Sequence, residues 1–131
     1  MNKNIYKKWE PINNIPDELY LEGLYDDYEG FRLLLKGDNV RSKMMRIKFD
    51  SVLLYRNIDE GDLILYPRVN EQSNQKLWCL YIVSESDLLS WFHSVSQNIH
   101  EAKKLIHYAI YTPNDCIDII TDLEPNVEWL K

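Results

Sequence analysis

Glycine, proline, cysteine and histidine are all scarce in this chain of 131 residues, and each shortage removes a class of function. Four isolated glycines cannot build a GxGxxG turn or a Walker loop, so no phosphate cradle of that type is encoded. With five prolines, glycine-poor composition also leaves little room for long flexible linkers. The two cysteines, Cys79 and Cys116, form no CxxC pair and sit in apolar runs, LWCLYIV and CIDII, which predicts two small buried hydrophobes. No apolar run is long enough for a membrane helix, and the lysines of MNKNIYKKWEPINN are not followed by the apolar core of a signal peptide. These absences predict a cytoplasmic chain with reduced thiols, no membrane contact and no cofactor.

The three histidines, His93, His100 and His107, recur every seventh residue and on one continuous helix would share a face. Seven residues rise about 10.5 Å along a helix, too far for one ion held at about 2 Å, so no metal site is expected. The serines at 84, 86, 90, 94 and 96 lie in no GxSxG elbow and read as helix caps and solvated positions. Cys116 near His107 could form a thiolate pair only if the two shared a sheet face in a cleft. The carboxylate groups match no EF-hand spacing. No catalytic residue is therefore assigned.

What is present is a globular composition: 45% hydrophobic, 27% charged, and 12% aromatic with nine tyrosines and four tryptophans. One domain over 1–131 is the expectation at this length. The net charge of −6 lacks the cationic surface that a phosphate backbone needs, which excludes nucleic acid and is compatible with a basic protein partner.

Residues 1–18 read as an irregular lead-in, because Pro11, Pro16, Asn13 and Asn14 break regular structure, with Trp9 docking it on the body. LYLEGLY and FRLLLK flank the acidic turn Asp26-Asp27-Tyr28-Glu29-Gly30 and predict a hairpin. In MMRIKFDSVLLYR, Met45, Ile47 and Phe49 alternate with Arg46, Lys48 and Asp50, a strand with one charged face that continues or bends after Ser51. LILYPRV is an edge strand because of Pro67, residues 70–75 are a surface loop, and KLWCLYIV is a central strand. A helix follows over roughly 86–97, capped by Ser84 or Ser86, with Leu88, Trp91, Phe92 and Val95 facing the sheet. HYAIYTPNDCIDIITD reads as two strands around a Pro-Asn-Asp turn, or as a strand followed by a short helix within 112–122, its polar residues on the turn and on outward faces, and a last element forms after Pro125. The fold class is α+β, a curved, mostly antiparallel sheet of about six strands with the helix packed on one face.

Two surface groups are the candidate partner-binding residues: Tyr25, Asp26, Asp27, Tyr28 and Glu29, and Asp59, Glu60 and Asp62. Each sets several carboxylates on a turn, and the first adds aromatic anchors. Arg56, leaving an apolar strand beside Asp59 and Glu60, calls for a carboxylate partner. A different reading places a ligand-binding or enzymatic pocket around Tyr55, Arg56, Trp78 and His107, and a third makes the chain an oligomeric module, such as a homodimer, paired through the edge near Pro67.

RIKFDSVLLYRNIDEGD and HYAIYTPNDCIDIITDLEPNVEWL resemble segments of small bacterial proteins that end in a strand, an ND-x-I-D hairpin and a proline followed by an aromatic. Some proteins of that kind resemble immunity proteins of polymorphic or contact-dependent toxin systems. The resemblance implies a non-catalytic protein that binds and blocks a basic toxin domain, and carries no functional residue over.

Overall fold

A computed structural model describes residues 3–39, 41–59 and 78–131. Their order is β1 (Ile5–Lys8), β2 (Tyr20–Asp27), β3 (Gly30–Lys36), β4 (Met44–Phe49), β5 (Leu54–Asp59), β6 (Leu80–Ser84), α1 (Asp87–Val95), β7 (Ile106–Tyr111), β8 (Asp115–Thr121) and β9 (Asn126–Trp129). The fold is α+β and dominated by antiparallel sheet, as the sequence predicts. It has two sheets in place of one: β1-β6-β7-β8-β5 and β2-β3-β4-β9.

The alternation of β3 and β4 builds the smaller sheet. Phe31, Leu33 and Leu35 are buried beside Met45, Ile47 and Phe49, while Arg32, Lys36, Arg46 and Lys48 lie on the other face. The inward residues join Leu80, Tyr108, Ile110, Ile117 and Ile119 of the larger sheet in one hydrophobic cluster, so the two sheets pack face to face. Phe49 and Tyr108 meet edge to face across this core, ring centres 5.9 Å apart. Between β4 and β5 the chain passes from the smaller sheet to the larger one, which is why the run after Ser51 turns apolar on both faces. Ser51 is tied there by its Oγ to Asp122 Oδ1 (2.6 Å) and by its carbonyl, which accepts from Thr121 Oγ1.

The other face of the larger sheet takes the helix. Ser86 is its N-cap, its Oγ accepting from Leu89 N at 2.9 Å, and Asp87 favours the first turn. Gln97 and Asn98, both at positive φ, follow the end of the helix. Leu88 and Phe92 bury against Ile120 with Leu53, Leu54, Leu89 and Leu105 around them. Trp91 and Val95 do not face the sheet: they are 53% and 55% exposed. The arc that meets the sheet runs through Leu88, Phe92 and Leu89, and the other two lie to its side.

Two further expectations are corrected. The lead-in is not irregular throughout, because Ile5–Lys8 pairs with β6 at the sheet edge, Ile5 opposite Ser84 and Lys8 opposite Tyr81. The chain breakers act only beyond it, and Trp9 does dock, 8% exposed, with its N–H on the Leu80 carbonyl. The polar residues of 107–121 are not all outward: His107, Thr112, Asp118 and Thr121 are buried. Thr112 is satisfied within its own turn, its Oγ1 accepting from Asn114 N and Asp115 N, and the other three by partners distant in sequence. Glu60, Asp62, the edge near Pro67 and the loop 70–75 lie outside the described residues. Among the described residues no helix is long and apolar enough to cross a membrane, and no group of three His, Cys, Asp or Glu side chains could hold a metal ion.

Candidate functional site

The hairpin of β2 and β3 presents the first group of expected residues together. Asp27 pairs with Gly30, so Tyr28 and Glu29 form a two-residue turn, and Gly30 takes φ of 107°, a region open to glycine. Asp27 Oδ1 accepts from Glu29 N (2.9 Å) and from Arg32 Nη1 (2.8 Å), and Arg32 Nη1 also donates to the Gly30 carbonyl. The Arg32 guanidinium holds the Asp27 carboxyl below the ordinary aspartate range, helped by the Glu29 backbone N–H. Glu29 comes within 3.7 Å of the same guanidinium.

That guanidinium also lies over the Tyr25 ring, 4.6 Å from its centre. Beneath the ring is Gly23, where an added Cβ would fall 2.6 Å from Tyr25 Cε2. The register shift between Leu21 and Gly23 places this glycine. Tyr25 is therefore clamped between a glycine and an arginine that an aspartate holds, while Tyr28 at the tip is 97% exposed. Arg32 and Gly23 were not singled out from the sequence. Only the cross-strand pairing of Tyr25 with Arg32 shows their part.

The second acidic group does not join this surface. Asp59 ends β5 in the other sheet, opposite Asp115, and Glu60 and Asp62 lie outside the described residues.

The pocket expected around Tyr55, Arg56, Trp78 and His107 is only half assembled. Tyr55 and Arg56 line a cavity of about 530 Å³ together with Asn4, Leu54, Asp87, Leu88 and Trp91. Trp78 is elsewhere, buried under Lys8 with its Nε1 donating to the Trp9 carbonyl. His107 is beneath the cavity, in a buried relay. Ser86 Oγ lies 2.7 Å from His107 Nδ1, His107 Nε2 lies 2.7 Å from Asp118 Oδ1, and Arg56 Nε donates to Asp118 Oδ2 at 3.0 Å. A carboxylate only accepts, which assigns the donor role at the Asp118 contact to His107 Nε2–H, and in the neutral ring Nδ1 then accepts from the Ser86 hydroxyl, whose oxygen also takes Leu89 N–H. The carboxylate partner of Arg56 is thus Asp118, its neighbour across the strand pair.

A Ser-His-Asp series invites comparison with a nucleophile, a base and an orienting acid. Here the hydroxyl caps a helix, Ser86, His107 and Asp118 are all buried, and Ser86 does not line the cavity. The series joins the helix start to the sheet and fixes Arg56. Cys116 is not paired with His107: it lies opposite Tyr111, His107 lies opposite Ile120, and Asp118 stands between them on the same face.

Compared with protein-family models, with curated proteins and with solved structures, the chain matches none significantly.

Proposed function

We propose that this chain is a non-catalytic binding protein whose partner is another protein, a basic toxin domain of the kind its C-terminal motif brings to mind, and that the β2–β3 hairpin is its contact surface. The observation that carries the proposal is the clamped Tyr25 ring beside the fully presented Tyr28. Tyrosine and arginine are favoured anchors of protein interfaces, and rings already fixed before binding lose little freedom on contact. Asp26, Asp27 and Glu29 outnumber Arg32, so the tip stays acidic, in keeping with the net charge of −6. Acidic charge at the rim speeds encounter with a basic partner and is screened by salt.

Kinetics separate the two contributions. Replacing Asp26 and Glu29 by Asn and Gln slows association and flattens its salt dependence. Tyr28→Ala instead shortens the lifetime of the complex, by a factor corresponding to about 2 kcal/mol at an interface centre. Wild-type behaviour of both variants against a cognate toxin domain rejects the hairpin as the contact.

A further inference from the structure

We propose that the cavity between the start of α1 and strand β5 binds small monocarboxylic acids with an apolar body, Arg56 taking the carboxylate. The site is separate from the hairpin surface and does not depend on the protein-partner reading.

The central observation is how Arg56 is held. Asp118 is buried, and each of its oxygens has one donor: His107 Nε2 on Oδ1 and Arg56 Nε on Oδ2. His107 is in turn fixed by Ser86, itself fixed by the first turn of the helix. This chain of bonds uses only the Nε edge of the guanidinium. Its Nη1 and Nη2 have no partner among the described residues, and the side chain is 39% exposed in the cavity wall. A planar fork held at its base with two free parallel donors matches a carboxylate, which takes both bonds at once. Ordering the arginine before the ligand arrives removes a cost that a free side chain would bear on binding.

The rest of the lining sets the body of the ligand. Leu54, Leu88 and the exposed indole of Trp91 supply apolar walls, and the volume of about 530 Å³ is that of a small-molecule site. Asp87 lines the same cavity, one of its oxygens accepting from Lys3 N. With Asp87 and Asp118 both near a single arginine, a multiply charged phosphate is disfavoured, whereas a singly charged carboxylate needs only the two Nη donors.

The test uses 3-phenylpropionate and indole-3-acetate as probes, with 3-phenylpropionamide and phenethylamine as analogues without a carboxylate. Each is titrated into the full chain at up to millimolar concentration and followed by amide chemical shifts. Saturable shifts at Leu54–Arg56 and Asp87–Trp91 are expected for the two acids and not for the amide or amine. Arg56→Lys keeps a cation for Asp118 and loses the fork, so affinity falls by about tenfold or more. Trp91→Ala, at an exposed position, weakens the acids while the fold and its melting temperature stay unchanged. The proposal is overturned if no acid saturates, if the amide binds as well as the acid, or if the shifts map to residues away from this cavity. Tyr28→Ala leaves acid binding unchanged, so failure here and failure of the hairpin reading are read separately.

Discussion

At the scale of single residues, two adjacent aromatics on one helix have opposite consequences. Phe92 is buried against Ile120 and stacks on His100, with ring centres 5.5 Å apart. Phe92→Ala should destabilise by about 3–5 kcal/mol in denaturant unfolding. Trp91→Ala should stay within about 0.5 kcal/mol, since its ring is largely in solvent. Equal losses would show that the helix is rotated from the orientation described. Asp27 makes a second residue-level case. Folding lowers its pKa through Arg32, so what the pair contributes is complete above the ordinary aspartate range and is lost as pH falls through the lower folded value. Carboxyl NMR should show Asp27 titrating below a free aspartate, with the Tyr25 ring signals moving at the same pH. Asp27→Asn should release Arg32 and the ring together.

At the scale of elements, the hairpin depends on a residue that touches no partner. Gly23→Ala would set a methyl into the Tyr25 ring, which must then leave its seat under Arg32. The fold should persist, since Gly23 is in a strand near the sheet edge. Partner binding should weaken with the loss of the fixed ring, as measured by dissociation rate. Elements also differ in how plainly the sequence announces them. β3 and β4 are legible because each buries one face, so charge and hydrocarbon alternate with period two. β1 is not, since IYKK carries no such pattern and becomes a strand only by pairing with β6. In β7 and β8 both faces are covered, and His107, Asp118 and Thr121 look outward to any rule based on polarity. Their burial is legible only with knowledge of Ser86, Arg56 and Ser51, partners 21, 62 and 70 positions away from them. The same limit applies to the site: the aromatic and acidic residues of the turn are local, but the clamp on Tyr25 needs the strand register.

For the whole molecule, two sheets and a helix enclose the chemistry that looked reactive in the sequence. Both cysteines are buried and neither forms a disulfide among the described residues, and burial pushes the Cys79 thiol up to about 12. Alkylating reagents at neutral pH should therefore modify neither thiol until the protein unfolds, and a chelator should leave the melting temperature unchanged. Rapid alkylation of the native chain, or a stoichiometric metal in the purified protein, would contradict this. The tip of the β2–β3 hairpin, by contrast, presents aromatic and acidic groups outward. The most direct measurement takes a basic toxin domain sought in the neighbouring genes, as the proposed function requires, and follows its binding to the wild-type chain and to a Tyr25→Ala, Tyr28→Ala double variant by surface-immobilised kinetics. A complex whose association slows with salt is expected for the wild type, with dissociation faster by about two orders of magnitude in the variant, at an unchanged melting temperature. Equal binding and equal protection of cells by the two proteins, or a gene neighbourhood that encodes no such domain, would contradict it.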